Sequence, residues 1–315
     1  MGNVLCPGEL LIDFVSLDDG KKLSDVKSFL KKSGGAPANT VMAVNKFGAE
    51  AFFVGAVGND AFGDFLINVL DTNKISSEYV KRSNENTTLA FISLDENGER
   101  SFEFVRGADK DLSKKEISQE LLKKCNIFHF GSATAFLGAD LQESYYFLLD
   151  YAVKNNKIVS FDPNYREALF GDKQELFIKN SLKYIAKSHI LKVSDEEARL
   201  LTGKDNLDIA ISKLLKIGAK NIFVTIGNKG TIYATSEKKE VIESIKVNVI
   251  DTTGAGDAFV GALLGQLSNF KIEDLFFTKL REFVKIANIT AALTITKKGA
   301  LESIPNKAEV MKHIH

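Results

Sequence analysis

Short apolar runs alternate with longer stretches of helical period along most of the chain. VLCPGELLIDF (4–14) reads as an opening strand, TVMAVNKFG (40–48) as a helix stopped by glycine, and AFFVGAVG (51–58) as the next strand. NIFHFGS (126–132), KIVSFDPN (157–164), HILKVS (189–194) and NIFVTIG (221–227) are further strands, each followed by a helical stretch. IKVNVI (245–250) is strand-like and leads through a glycine turn into the helical AFVGALLGQL (258–267). Such alternation predicts an α/β fold with a mostly parallel sheet covered on both faces. Ligands then gather beyond the carboxyl ends of the strands, where the motifs below fall.

Two segments break the rhythm. Residues 15–33 are polar and Lys-rich, and TTLAFISLDENGERSFEFVR (87–106) reads as two alternating strands around ENGE. The alternation puts Phe102 and Phe104 on one face and Glu103 on the other. Together these excursions predict a small β-lid of residues 14–33 and 87–107 on a core of 1–13, 34–86 and 108–315. A surface hairpin without a functional role is the alternative. With four prolines and no low-complexity tract, no linker divides the 315 residues.

Composition narrows the partners. The 44% hydrophobic and 26% charged content is that of a soluble globular protein, and 41 basic residues balance 41 acidic ones. That balance predicts no nucleic-acid or membrane partner, so any phosphate chemistry rests on a local site. No leader or membrane span is evident, and Cys6 and Cys125 read as buried free thiols, which places the chain in the cytoplasm. His129, in an apolar run, reads as a satisfied core histidine, and His313 and His315 as a frayed terminus.

DTTGAGDAF (251–259) carries the chemistry. Glycines between a strand and a helix aim unsatisfied N–H groups of Gly254, Ala255 and Gly256 at whatever lies in front. A P-loop needs a Gly-Lys-Ser/Thr ending, which is missing, and a dinucleotide fingerprint needs a third glycine where Phe259 stands. Asp257 in the first turn either answers the helix dipole or takes a proton from a hydroxyl while the amides hold a transferring phosphoryl group. In SGGAPANTV (33–41), Gly34 and Gly35 let backbone approach a small ligand. Asn39 is either a near-cap or a partner for hydroxyls, together with Asp13 at the end of the opening strand.

GGAPAN and DTTGAGDAF, in this order and separation, resemble the paired signatures of the ribokinase-like sugar kinases (the phosphofructokinase-B family), with similarity from Val4 to Pro305. GELLIDF, DPNYR and KVSDEEARLLTG resemble the fructokinases most. The resemblance implies a ribokinase-like three-layer sandwich with a small β-sheet lid, and an enzyme that phosphorylates a sugar with ATP and Mg²⁺. It implies Asp257 as general base, the Gly254–Gly256 amides as anion hole, and Asp13, Gly34, Gly35, Asn39 and Arg166 around the sugar. Arg106 becomes a sugar clamp on a shortened turn, while Phe102 and Phe104 cover the sugar or pack lid against lid in a homodimer. Ser194 stands where the family carries Asn. Glu197 orients Mg²⁺ through water, or 194–197 is only a capping box. Thr225, Gly227, Gly230, Gly256 and Asn288 line the ATP pocket, and Asp251 and Thr253, with Thr294, Lys297, Gly299 and Ser303, enclose K⁺.

Fructose phosphorylated at its 6-hydroxyl is the expected reaction. A 2-keto-3-deoxygluconate kinase, offering Arg166 and Arg106 to a carboxylate, and a ribokinase are the alternatives. A sugar or nucleotide sensor on the same fold is the rival of another class, although a sensor needs no base. An NAD-dependent dehydrogenase comes last.

Overall fold

A computed structural model describes residues 2–18, 20–94, 96 and 100–314. Thirteen strands form two sheets: β1 (Asn3–Pro7), β2 (Leu11–Ser16), β3 (Phe29–Gly34), β4 (Glu50–Gly58), β5 (Val80–Ser83), β6 (Leu89–Leu94), β7 (Arg100–Val105), β8 (Cys125–Phe130), β9 (Ile158–Phe161), β10 (Ile190–Ser194), β11 (Asn221–Thr225), β12 (Thr231–Ala234) and β13 (Lys239–Ile242). The large sheet has nine strands in the order β13-β12-β11-β10-β9-β8-β1-β4-β5. From β5 to β11 neighbouring strands are parallel, and β12 and β13 add an antiparallel edge.

Period-two alternation in the strands builds two cores. Val4, Cys6, Phe53, Ile127 and Phe223 face the layer holding helices Ala36–Lys46, Ala255–Leu267 and Phe277–Thr294. Leu5, Phe52, Phe128, Phe130 and Val224 face the other, with helices Ala139–Lys154, Gln174–Ile185 and Leu207–Ile217. The expected three-layer sandwich is the result. Cys6 and Cys125 are buried and free. Among the described residues no helix is long and apolar enough to cross a membrane.

Helices Ala36–Lys46 and Ala255–Leu267 run side by side in the same direction. A Cβ at Gly261 would collide with that of Ala43, and one at Gly265 would lie 2.8 Å from the Cβ of Phe47. Two bare glycines a turn apart therefore let the helices approach closely. One turn before the first contact, the same register brings Asn39 to Asp257, with Nδ2 donating to Oδ2 at 2.8 Å.

The four-stranded sheet has the order β3-β2-β6-β7. It contains the hairpin expected at 87–106, as antiparallel β6 and β7 with Ile92 opposite Phe102 and Ala90 opposite Phe104. Of its expected turn, Asn97, Gly98 and Glu99 lie outside the described residues, as does His315.

Two strand expectations are corrected. VLCPGELLIDF is not one strand: it breaks around Gly8, whose φ of +145° turns the chain, so β1 joins the large sheet and β2 the small one. Asp13 thus sits within β2, opposite Lys32, rather than at a strand end, and the small sheet begins at Leu11. IKVNVI forms no strand. Its amides do not join a sheet edge, and Ile250 N donates instead to Ile295 O at 2.8 Å.

Candidate active site

Two cavities of about 580 and 600 Å³ open beyond the carboxyl ends of the strands. The start of helix Ala255–Leu267 separates them. Thr253, Gly254 and Asp257 face the first cavity, whereas Thr252, Ala255 and Gly256 face the second. One helical turn therefore presents a carboxylate to one chamber and backbone donors to its junction with the other. Gly254 makes the turn possible, with φ at +78° in the left-handed region.

The first cavity gathers Asp13, Gly35, Asn39, Phe102, Arg166, Gly254 and Asp257, most of the residues expected around a sugar. Gly34 is bare because the Asp13 carboxylate occupies the space a Cβ would need. Asn39 Oδ1 is buried with no hydrogen-bond partner, an acceptor left over after its amide has bound Asp257. Phe102 and Phe104 stack at 6.1 Å and join Ala90 and Ile92, so the small sheet walls one side.

Asp257 is raised to about 6, chiefly because burial disfavours its charge and secondarily because Asp162 repels it. The hydrogen bond from Asn39 and the charges of Arg166 and Lys192 pull the other way. A carboxylate poised there is ionised at neutral pH and basic enough to accept a hydroxyl proton as the alcohol attacks.

Some expected site residues act elsewhere. Arg106 does not line the cavity. Its guanidinium donates to Leu137 O at 2.8 Å and Gly138 O at 3.1 Å, and pairs with buried Asp109 at 3.3 Å. Through these contacts it braces the loop that carries Ala133 and Thr134 into the cavity wall. Ser194 and Glu197 line neither cavity. They form a complete capping box, and Glu197 also accepts from Tyr165 N at 2.9 Å. The second cavity does gather Thr225, Gly227, Gly230, Gly256 and Asn288. Asn288 pins its rim by donating to Ile242 O at 2.8 Å. The Asp251 carboxylate accepts from Thr253 and from Gly299 N, while Ser303 Oγ donates to Lys298 O at 3.1 Å. The Thr294 hydroxyl is directed into its own helix, onto Thr290 O.

Sequence reasoning missed four residues. Glu9 is 2% exposed and lines the first cavity, accepting from Ala36 N, Ala133 N and Ser132 Oγ. Burial, opposed by those hydrogen bonds, leaves it at about 7. Asn164, at φ +50°, also lines the cavity and donates to Gly131 O. Lys192 and Asp162 form a buried ion pair at 3.0 Å. For Glu9, Asp162 and Asn164 the signal available was position, since each follows a strand at its carboxyl side, whereas Lys192 lies in the middle of β10. His129 is a neutral core residue against Ser160, pushed down to about 3 by burial and by Lys192.

Two chambers of similar volume, meeting at a helix start that offers a carboxylate to one and backbone amides to the other, are the arrangement that a phosphotransferase acting on an alcohol requires. The chain belongs to the pfkB family of carbohydrate kinases, whose family model matches residues 1–307. It is 39% identical to fructokinase-1 of Zea mays over 311 residues, covering 98% of this chain and 96% of that protein. Its fold is ribokinase-like. The fructokinase of Xylella fastidiosa with bound ATP superposes with a TM-score of 0.87 at 28% identity, covering 98% of this chain and 97% of that one. The fructokinase of Vibrio cholerae O395, in its form with fructose, ADP and calcium, also gives 0.87 at 28% identity, covering 100% and 99%.

Asp257→Asn tests the base in two ways. We expect kcat to fall at least ~100-fold while sugar affinity changes by less than about 1 kcal/mol. The raised folded value lies above an unfolded value of about 3.9, so the stability it favours belongs to the protonated form and is lost as pH rises through about 6. The Asn variant should therefore be more stable than wild type at pH 8, by about 1–2 kcal/mol after allowance for partial exposure, with the gap closing between pH 6 and 4. Near-normal turnover, or a stability difference independent of pH, would refute the assignment.

Proposed function

We propose that the chain is an ATP-dependent fructokinase that transfers the γ-phosphate of ATP to the 6-hydroxyl of D-fructose. The observation that carries this reading is the single turn at 254–257, with Asp257 in one cavity and Gly256 in the other. The sugar occupies the first cavity, where Asp13 and the orphan Asn39 Oδ1 accept its hydroxyl protons and Arg166 donates to its oxygens. ATP occupies the second, its base against Val247, Val249 and Ala292 and its γ-phosphate before the 254–256 amides. Asp257 removes the 6-hydroxyl proton as that oxygen attacks the phosphorus in line, and the amides hold the charge on the phosphoryl oxygens. The small sheet is the lid, and its closure excludes water as a competing acceptor. These small-molecule substrates and two free thiols fit a cytoplasmic enzyme.

Mg²⁺ enters with the nucleotide and offsets phosphate charge. The Glu197 carboxylate, already engaged by Ser194 N and Tyr165 N, fits an outer role through water rather than direct ligation. The Asp251 carboxylate tied to the 299–303 turn fits a K⁺ site next to the anion cradle, with Thr253 and the backbone near Thr294 and Lys297 beside it. Replacing potassium by a tetraalkylammonium salt should lower kcat, and an equal rate in both would reject the site.

A 2-keto-3-deoxygluconate kinase needs cations for a carboxylate. Among the described residues lining the first cavity, Arg166 is the sole cation, since Arg106 is turned away. That favours a neutral sugar. In a coupled ADP-release assay with fructose, ribose, 2-keto-3-deoxygluconate, glucose and adenosine, fructose should turn over fastest. Rapid turnover of another member with little on fructose would overturn the substrate.

By register, Val15 and Leu30 share the small-sheet face that bears Ile92 and Phe102, and Leu30 is 44% exposed. A second copy covering this strip would make a homodimer through the lid. Light scattering at micromolar protein should give the dimer mass and Leu30→Asp the monomer mass. A monomeric wild type would exclude it.

A further inference from the structure

Lys192 lies where a positive charge is disfavoured on two counts. Its side chain is only 11% exposed, and its ammonium rests beneath the opening turn of helix Ala255–Leu267. A Cβ added to Gly256 would lie 3.0 Å from Nζ and 3.6 Å from Cε. Gly256 is the second residue of that helix, so the ammonium sits at the positive end of the helix dipole, where anions are favoured. Burial pulls its pKa down, yet Asp162, then Glu197 and Asp257, more than offset this and leave it raised and charged. Asp162 holds it directly, with Oδ2 at 3.0 Å and Oδ1 at 3.3 Å.

A purely structural reading explains this arrangement poorly. Buried ion pairs contribute little net stability compared with apolar packing of the same volume. A lysine could also have been paired without being set against a helix N-terminus. The glycine adds a second, independent indication. Gly256 is not in the left-handed region and no backbone atom crowds its Cα, so alanine would favour the helix by about 1 kcal/mol. Among the described residues, what a Cβ at 256 would meet is the Lys192 side chain. Bare backbone here lets a buried cation approach the amides that line the second cavity.

We infer that Lys192 is the charge-balancing cation of the phosphoryl-transfer site: held by Asp162 beneath Gly256, it strengthens the anion hole of residues 254–256 without touching the substrate. Asp162, Glu197 and Asp257 all lie near Lys192, and among the described residues the cavity walls otherwise offer Arg166 in the first cavity and the solvent-exposed Lys246 in the second. The field of Lys192 passes through a single layer of backbone in a poorly solvated region, where it is weakly screened. It acts most on the state with most negative charge on the transferring group. Lys192 is therefore a positioning residue for charge, and its loss weakens turnover rather than sugar binding.

This inference rests on the kinase reading, and one set of measurements separates the two. Lys192→Met should lower kcat by about 10- to 100-fold, less than or equal to the loss of a direct anion-hole donor, with the KM for fructose within about twofold. Affinity for ADP with aluminium fluoride in the presence of fructose, a mimic of the transferring phosphoryl group, should fall in the same proportion, while affinity for ADP alone stays within about twofold. Gly256→Ala should cost turnover in the wild-type background and markedly less in Lys192→Met, because both act through the same ammonium. Lys192→Gln keeps a hydrogen bond to Asp162 without the charge, and replaces the Met variant if that protein lacks a cooperative thermal transition. An unchanged kcat, or equal weakening of ADP and of its aluminium fluoride complex, overturns the inference while wild-type turnover leaves the kinase reading standing. A wild type that phosphorylates no sugar of the panel overturns both.

Discussion

The close contact between helices Ala36–Lys46 and Ala255–Leu267 is the constraint from which the site follows. Both start at the carboxyl side of the large sheet, and both present their positive ends to the same space. Gly261 and Gly265 let them touch with almost no side chain between. Pairs four residues apart on each helix then stay in step: Phe47 with Gly265, Ala43 with Gly261, and Asn39 with Asp257. The Asn39 amide and the Asp257 carboxylate are consequently fixed to one another by helix packing, not by loop conformation. Precision of this kind is what a proton transfer coupled to bond formation demands.

Converging helix ends also explain the acids. Two positive dipoles and an ammonium at Lys192 permit carboxylates at 162, 197 and 257 to lie close together in a region of low water content. Asp257 remains strained within that balance, since burial raises it even with Asn39, Arg166 and Lys192 opposing. The fold is therefore least comfortable where it is most reactive. In the proposed reaction an anion before the 254–256 amides would join this field from the side opposite Asp257, so the same positive charge would serve both the folded protein and the phosphate.

The alternation of apolar runs with helical patterns made the parallel sheet legible, because strands buried on both faces leave continuous signals such as NIFVT and FFVGAV. The 251–259 turn was legible for a different reason: its glycines, lack of lysine and edge acid admit few chemistries. The break in VLCPGELLIDF was not visible, since both halves are apolar and only a φ of +145° at Gly8 parts them between sheets. IKVNVI misled because its apolar residues line the second cavity or, like Ile250, stay exposed, so their alternation marks no sheet face. The direction of Arg106 was not legible because the carbonyls at 137 and 138 and the Asp109 carboxylate that hold it come together only in the fold. Glu9 and Lys192 were hidden in hydrophobic strings whose charged members look like interruptions, although a charge that survives burial needs a reason.

The division of the site by one helical turn limits what chemistry the fold can perform. Asp257 faces the first cavity and Gly256 the second, so in the proposed reaction a hydroxyl beside Asp257 faces an anion held by the amides across one helical turn. In-line displacement at phosphorus would need that direction, and the backbone of the turn sets it. On the proposed reading specificity can vary among small-sheet residues of the first cavity, such as Asp13, Ile92 and Phe102, apart from the helical turn that carries the transfer step. Because these come from the small sheet, the proposed reaction puts substrate choice and water exclusion in one structural unit and catalysis in another. On that reading a substitution in the small sheet should alter which alcohol is accepted, whereas one at the helix pair should alter whether any alcohol reacts.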